Sequence, residues 1–345
     1  MSGPAGRLPA IQVHPTRRCN LRCLHCYSDS GPEVSEELPE PLLLRVLAEA
    51  APLGYRVLAV SGGEPLLHEP LPRLLRAAHE HGLITTVTSN GMLLDERRLA
   101  LLEPDTDLLA ISLDGVPESH AEMRASSRAF DDMAGRLPAL RASGIPFGFI
   151  FTLTFHNVHE LDWVARFAIE QGASLLQIHP LEAVGRAGHT LGESVPDEEE
   201  NVSALIETAR LRELYADRIE MQLDVATVEA VHDHPEKIFA DDAELCGEET
   251  IADLIAPIVL ETSGIVAPLQ YGFPRAWCFG NVKDAPLGEL AGEWARTRLQ
   301  DFRRLCREVR ADILQHPEVP VLNWYVAVHR AARGAEPALA PPSRS

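Results

Sequence analysis

The sequence lacks the features that mark membrane, secreted and nucleic-acid-binding proteins. No stretch reaches the ~18–20 uncharged apolar residues that a membrane-spanning helix needs, and the first ten residues have neither the basic start nor the apolar run of a signal peptide. Lys and Arg form no basic run, and the formal net charge is -20, which argues against a groove for nucleic-acid phosphates. We therefore expect a cytoplasmic protein with neither a membrane nor a nucleic acid as partner. The acidic charge favours a solubilising surface over the steering of a cationic substrate or peptide.

Cysteine is also scarce, because the 345 residues contain only six. So few cysteines in so long a chain exclude a disulfide scaffold, but three of them lie between Cys19 and Cys26, which is the distribution of a metal site. With 46% hydrophobic and 24% charged residues, the chain can bury a large core. These properties predict one large α/β domain with an appendage.

Short β-branched runs alternate with amphipathic helical patterns through the first half of the chain. The predicted strands are 9–16, 57–62, 84–90, 108–114, 147–154 and 175–181. A further helix is expected to begin at Asn157, where Glu160 completes a capping-box-like pair. Repeated βα units predict a parallel sheet, either a barrel or an open wound sheet, with functional groups on loops at the carboxyl ends of the strands.

The pattern changes after about residue 190. A helix near 200–215, a strand at 218–224 and a β-hairpin at 256–269 that turns at Ser263 and Gly264 are expected. We therefore divide the chain into a core at 1–190, a smaller α+β cap at 191–335 and a disordered, Pro- and Ala-rich tail at 336–345.

The loop after the first strand carries the strongest chemical signal. Cys19, Cys23 and Cys26 are spaced to bind three irons of a cubane and to leave the fourth iron open to a chelating ligand. The alternative is a zinc site completed by His25 or by a distant cysteine.

Two further motifs follow the second and fourth strands. In Ser61-Gly62-Gly63-Glu64-Pro65, the glycines permit close approach of a ligand to the backbone and the carboxylate can pair with an ammonium group. In Ser112-Leu113-Asp114-Gly115, a hydroxyl and a carboxylate together suit a ribose diol. Each motif alone is also explained as an ordinary turn.

The order C-x3-C-x2-C, GGEP, SNG and SLDG resembles the radical S-adenosylmethionine (SAM) superfamily over residues 8–187. The resemblance implies a partial (β/α)6 TIM-like barrel with a [4Fe-4S] cluster and SAM at its top. By position, the cluster ligands would be Cys19, Cys23 and Cys26. The SAM-binding residues would be Gly62, Gly63, Glu64, Ser89, Asn90, Ser112 and Asp114, with Tyr27 packed beside the cluster or the adenine.

Other residues keep two interpretations. Asn157 is either a SAM contact or a helix cap, and Arg186 contacts SAM or substrate or does neither. His179 and Glu182, which follow the sixth strand, and His14 on the first strand are functional or structural polar groups.

The C-terminal region is similar to SPASM and twitch extensions, which carry auxiliary [4Fe-4S] clusters. Leu269 stands where their pattern has a cysteine after the hairpin glycine, so we expect a degenerate cap without an auxiliary cluster. The remaining cysteines, Cys246, Cys278 and Cys306, are either buried hydrophobes or, for Cys246 and Cys278, donors of a hydrogen atom to a substrate radical.

The resemblance implies an enzyme that cleaves SAM to a 5′-deoxyadenosyl radical and takes its electron from a reductant such as flavodoxin or ferredoxin. The leading expectation for the substrate is a side chain of a peptide or protein, in the maturation of a ribosomal peptide or a cofactor. One alternative is an epimerase, dehydrogenase or decarboxylase of a small metabolite. Another is a non-catalytic metal-binding protein on the same scaffold.

Overall fold

A computed structural model describes residues 8–241, 249–316 and 320–335 of the chain. The predicted tail at 336–345 and the candidate Cys246 lie outside these described residues. None of the helices in the described ranges combines the length and the apolar character that crossing a bilayer requires.

All six strands predicted in the first half of the chain are present. They pair in parallel in sequence order, each with the next. Their bounds are β1 Ala10–Val13, β2 Val57–Val60, β3 Ile84–Ser89, β4 Leu108–Ser112, β5 Phe147–Leu153 and β6 Leu175–Pro180. The βα order therefore gives the parallel sheet that was expected.

Strands from the C-terminal region extend the same sheet at both edges. They are β7 Glu220–Leu223, β9 Ile258–Leu260, β10 Ile265–Pro268 and β11 Gly280–Asn281. β7 pairs in parallel with β6, and β9 pairs in parallel with β1. The sheet of the described residues thus has the order β11-β10-β9-β1-β2-β3-β4-β5-β6-β7 and remains open. A separate pair is formed by β8 Ala226–Thr227 and β12 Val321–Leu322.

The predicted hairpin at 256–269 is confirmed as the antiparallel pair β9 and β10. Its turn is closed by a 2.8 Å hydrogen bond that Gly264 N donates to the Glu261 carbonyl, and Gly264 has a φ of 92°. A left-handed backbone of this kind favours glycine at that position.

Helices cover the outer face of the sheet. Their bounds in the core region are α1 Glu40–Ala50, α2 Leu71–Glu80, α3 Glu96–Leu102, α4 Pro117–Met123, α5 Ala129–Ala134, α6 Leu137–Ser143, α7 Leu161–Gln171 and α8 Ala187–Thr190. In α2, the buried residues Leu71, Leu74, Leu75 and Ala78 recur at the spacing of one helical face, and Gly82 follows the helix at a φ of 75°. Burial of such faces against the strands forms the main core.

The C-terminal helices are α9 Glu198–Leu214, α10 Val228–Asp233, α11 Ile251–Leu254, α12 Leu287–Thr297, α13 Leu299–Gln315 and α14 Trp324–Gly334. The helix expected near 200–215 is α9, and it begins with a capping box between Asp197 and Glu200.

The predicted capping pair of Asn157 and Glu160 is wrong. A 3-10 turn at Val158–Glu160 precedes α7, and the Asn157 side chain makes no helix cap. Its amide accepts from Thr154 N at 2.7 Å and donates to the Thr152 carbonyl at 2.9 Å. The Glu160 carboxylate instead accepts hydrogen bonds from Val116 N in the loop after β4 and from Ser119 Oγ in α4. These tertiary contacts, and not the local capping pair, determine its position.

Candidate active site

The concave face of the sheet encloses a cavity of about 540 Å³. Alternate residues of each strand face it, because successive side chains of a strand point to opposite sides. Small or polar side chains occupy these inward positions, as in Gln12, Ala59, Thr88, Ala110, Gly148 and Gln177. The large apolar residues between them, such as Ile11, Leu58, Ile111 and Phe151, are buried in the core. The strands thus leave room for a ligand at the inner face.

All three cysteines of the predicted cluster loop line this cavity. Cys19 and Cys23 are buried, Cys26 is half-buried, and all three thiols are free. Backbone amides approach two of them, because Leu21 N donates to Cys19 Sγ at 3.4 Å and Ser30 N donates to Cys26 Sγ at 3.3 Å. Burial raises the pKa of Cys19 to about 12 and also raises the pKa of Cys23.

Arg186 holds the cysteine loop from outside the cavity lining. Its guanidinium donates to the carbonyls of Cys23 and Ser30, both at 2.8 Å, and its own backbone N donates to the Cys26 carbonyl at 2.9 Å. Through these contacts Arg186 holds the cysteine loop in its conformation. From the sequence, its alternative role was a contact with SAM or substrate.

Glu64 is fully buried behind the glycine loop. One carboxylate oxygen accepts from Ser89 Oγ at 2.9 Å and from Leu66 N at 3.1 Å, and the other accepts from Asn90 N at 2.9 Å. Burial raises the pKa of Glu64 against these hydrogen bonds. Gly62, Gly63, Ser89 and Asn90 line the cavity, whereas Glu64 ties the loops that carry them together.

Ser112 lines the cavity, but Asp114 points away from it into a buried charge cluster. Asp114 Oδ2 lies 2.6 Å from Arg124 Nε and 3.8 Å from His25 Nε2. Burial alone would raise the pKa of Asp114, but Arg124, His25 and His120 outweigh it and lower the pKa to about 2. The carboxylate that seemed suited to a ribose therefore neutralises a buried arginine.

Arg124 is a functional candidate that sequence reasoning missed. It lines the cavity while buried, and its Nη1 donates to Cys23 Sγ at 3.7 Å. Its position one helix after the SLDG loop was a usable signal, because α4 carries it back towards the cysteines.

Tyr27, predicted to pack beside the cluster or the adenine, lies in an aromatic group at the cavity wall. Its hydroxyl shares a 2.9 Å hydrogen bond with Ser61, and its ring lies 5.6 Å from that of Tyr271. His14 is buried beneath them and stacks on Tyr271 at 4.9 Å. Burial lowers the pKa of His14 to about 3, which favours the neutral imidazole.

The cavity is also lined by His179 and Glu182, together with Asp224 and Gln270. Sequence reasoning missed the last two. Asp224 ends the predicted strand at 218–224, so the rule that polar groups follow parallel strands would have found it. Gln270 follows the hairpin, where the sequence offered no comparable signal.

Cys278 is half-buried and does not belong to the described residues that line the cavity. Its thiol lies 3.6 Å from the Phe273 carbonyl oxygen and 3.8 Å from that of Pro274. This position does not favour a direct role in hydrogen-atom transfer. Cys306 is fully buried in α13, as expected for a small hydrophobe.

The zinc alternative gains no support from the arrangement of the donors. His25 Nε2 faces Asp114, and burial lowers the pKa of His25 to about 4. Among the described residues, no group of three or more His, Cys, Asp or Glu side chains is arranged around a position for a single metal ion. Three thiols on one cavity wall suit a larger cluster.

Comparison with known proteins decides the family. Residues 13–168, which include the cysteine, glycine and SLDG loops, match the family model of the Radical SAM superfamily. Over residues 13–168, the chain carries a radical SAM domain. It is an enzyme, and the enzymes of this family use a [4Fe-4S] cluster and S-adenosylmethionine.

Similar members of the radical SAM superfamily act on different substrates. The chain is 28% identical to Fe-coproporphyrin III synthase of Methanosarcina barkeri over 82% of its own length and 73% of the relative's. It is 31% identical to the PqqA peptide cyclase of Ruegeria pomeroyi, over 56% of this chain and about half (53%) of that relative.

Among solved structures, SuiB of Streptococcus suis bound to S-adenosylmethionine has the same fold. The TM-score is 0.67 at 15% identity, over 87% of this chain and 68% of SuiB. SuiB has also been solved with its precursor peptide SuiA. The match extends well beyond residue 190, so the open sheet with its C-terminal strands is part of a known architecture.

Proposed function

We propose that this protein holds a [4Fe-4S] cluster on Cys19, Cys23 and Cys26, binds SAM in the adjoining cavity and modifies a side chain of a peptide or protein, in the maturation of a ribosomal peptide or a cofactor. The observation that carries the proposal is the position of three free thiols on one wall of a cavity that the glycine, SNG and SLDG loops also line. A cluster held by these three cysteines would supply the electron for reductive cleavage of the S–C5′ bond of SAM, which would yield methionine and a radical able to abstract hydrogen from the substrate. An external one-electron donor such as flavodoxin or ferredoxin would reduce the cluster.

The donor set fits this cofactor. Three thiolates satisfy three irons and leave the fourth open to a chelating ligand. Iron binding requires the thiolate form, which burial disfavours at Cys19 and Cys23. Arg124, at 3.7 Å from Cys23 Sγ, is placed to stabilise negative charge on that sulfur.

The remaining loops would orient SAM. Gly62, Gly63, Ser89, Asn90 and Ser112 offer backbone and hydroxyl or amide groups at the cavity surface. Among the described residues that line the cavity, Arg124 is the one that carries a permanent positive charge. It would therefore receive an anionic group such as a carboxylate.

The buried members of the predicted set would act through the residues they hold. Glu64 fixes Ser89 and Asn90, and Asp114 fixes Arg124. Tyr27 would pack against the bound cofactor and exclude water, and Arg186 would keep the cysteine loop in register.

The first test is anaerobic reconstitution with iron and sulfide, followed by dithionite, SAM and mass-spectrometric detection of 5′-deoxyadenosine. We expect wild type to form it and Cys23→Ala to lose both the product and most of the iron. Cys306→Ala, which removes a thiol outside the cavity, is the matched control and keeps both. Normal product formation by Cys23→Ala, or none by wild type carrying about four irons per chain, would contradict the proposal.

A peptide substrate is supported by two of the similar proteins. SuiB binds a precursor peptide, and the second curated relative is a peptide cyclase. A small metabolite remains the alternative, and deuterium transfer from labelled candidate substrates into 5′-deoxyadenosine distinguishes the two classes.

A tetrapyrrole substrate is a second candidate, because the similarity to Fe-coproporphyrin III synthase covers 82% of the chain. Coproporphyrins carry several carboxylates, however, and the described cavity lining offers Arg124 against the carboxylates of Glu182 and Asp224. Two carboxylates and one arginine in the lining favour a cationic substrate over one that carries several carboxylates.

For the domain organisation, we propose a radical SAM core at 1–190 and a SPASM- or twitch-like region at 191–335 without an auxiliary cluster. Supporting this, Cys278 and Cys306 lie in separate surroundings outside the cavity lining. The test is iron and sulfide content after Cys19, Cys23 and Cys26 are all replaced by Ala. We expect no cluster, and a retained [4Fe-4S] spectrum would overturn the assignment.

A further inference from the structure

The charged side chains that line the cavity do not balance. Glu182, Asp224 and Arg124 all line it, and no further Lys or Arg belongs to the described lining residues. Arg124 is already paired with the buried carboxylate of Asp114, at 2.6 Å. A ligand in the cavity therefore meets two carboxylates without a matching cation from the lining.

The two carboxylates belong to a connected network of side chains in the cavity lining. We call this network the carboxylate wall and define it as Gln177, His179, Glu182, Asp224 and Gln270. His179 lies between the carboxylates, with Nδ1 at 3.1 Å from Asp224 Oδ2 and Nε2 at 3.6 Å from Glu182 Oε1. Gln177 Nε2 donates to Asp224 at 2.5 Å, and Gln270 Nε2 donates to Glu182 at 3.3 Å. These contacts fix both carboxylates in position.

The two carboxylates of the wall are largely shielded from solvent. The side chains of Asp224 and Glu182 are 8% and 14% exposed. Burial raises the pKa of Glu182, and nearby Asp224 raises it further, while His179 and Asn323 lower it. In addition, the amide oxygen of Gln270 is buried without a hydrogen-bond partner. A buried amide oxygen is costly unless it accepts a hydrogen bond, so the Gln270 oxygen, beside the two carboxylates, is prepared for a ligand that donates one.

We propose that the carboxylate wall binds a cationic nitrogen group of the substrate, either a primary ammonium or a guanidinium. Such groups carry several N–H donors and a positive charge, which match two carboxylates and an acceptor amide oxygen. A metal cation does not fit, because no group of three or more His, Cys, Asp or Glu side chains among the described residues is arranged for one.

This inference rests on the proposed function, because it treats the cavity as the place where substrate meets SAM. A cationic nitrogen is a feature that a peptide substrate and a small-metabolite substrate could share. A lysine-like side chain of a peptide and a small amine would both present an ammonium group, and the test distinguishes them.

The experiment is a binding titration, by ligand-observed NMR, of the anaerobically reconstituted protein. The cationic probes are N-acetyl-lysine methylamide and n-hexylamine, and their neutral counterparts are N-acetyl-norleucine methylamide and n-hexanol. We expect wild type to bind the cationic probes at least about tenfold more tightly than the neutral ones, as for a buried charge-assisted hydrogen bond. A preference for the lysine derivative over hexylamine indicates a peptide, and equal binding indicates a small amine.

Two near-isosteric variants, Glu182→Gln and Asp224→Asn, each remove one charge from the wall. We expect either to reduce the cationic preference to near unity, whereas the exposed-site controls Glu289→Gln and Asp217→Asn retain it. Absence of cationic binding, equal binding of both probe types by wild type, or a preference that survives in both wall variants would overturn the proposal.

Formation of 5′-deoxyadenosine by wild type is measured in parallel without any probe. That reaction reports on the cluster and SAM alone, so failure of the proposed chemistry is distinguished from failure of the cation site.

Discussion

Replacing Asp114 with Asn removes the negative partner of buried Arg124 while keeping the shape of the side chain. The two side chains are 0% and 9% exposed, with a 2.6 Å separation between Oδ2 and Nε. We expect Asp114→Asn to lower the free energy of unfolding by about 3 kcal/mol, because breaking a buried ion pair leaves an uncompensated charge.

The magnitude has a second, independent basis. The pKa of Asp114 falls from 3.8 to about 2 in the folded protein. At about 1.4 kcal/mol for each tenfold change in an equilibrium constant, this lowering stabilises the fold by roughly 2.5 kcal/mol. Because the folded pKa is the lower one, the contribution is present above pH 3.8 and is lost as the pH falls towards 2. The difference between wild type and variant should shrink over the same interval.

The assay is urea unfolding followed by circular dichroism, with Asp217→Asn as the surface control. A double-mutant cycle with Arg124→Gln isolates the pair, and we expect a coupling energy of about 1–3 kcal/mol. A loss below about 1 kcal/mol, or additive effects of the two substitutions, would refute the reasoning.

Three more predictions follow from contacts around the site. Gly63→Ala should reduce iron incorporation and thermal stability, because a Cβ there would overlap the backbone carbonyl just before Cys19. The control Gly192→Ala, with open space around it, should change neither. Glu160→Gln should lower the free energy of unfolding by about 1–3 kcal/mol, since its carboxylate accepts from a backbone amide and a hydroxyl after β4, and urea titration measures it. Cys278→Ala should form both 5′-deoxyadenosine and the modified substrate at the wild-type rate, because its thiol contacts carbonyls outside the cavity lining. Normal 5′-deoxyadenosine formation with loss of the modified substrate would restore the hydrogen-donor hypothesis, since such a donor acts after 5′-deoxyadenosine has formed.

The sequence predicts the strands well because each is a short β-branched run ended by a turn. It also predicts the cavity loops, since polar residues after parallel strands meet at one edge. It does not predict which polar side chains face the ligand. Glu64 and Asp114 have the chemistry of ligand contacts, but Ser89, on the next strand, and Arg124, one helix later, hold them in the interior. Local propensity was likewise misleading at Glu160, whose partners lie more than forty positions earlier.

The pairing of β9 with β1 imposes an order on folding. Ile11 lies beside Ile258, 247 positions later in the chain. At a synthesis rate of roughly 5–20 residues per second, the edge of β1 waits about 12–50 s for its partner strand to leave the ribosome. An unpaired parallel edge is a template for association with other chains during that time. A fragment that ends near residue 190 keeps that edge permanently open, so expression of the core without its C-terminal strands should favour aggregation.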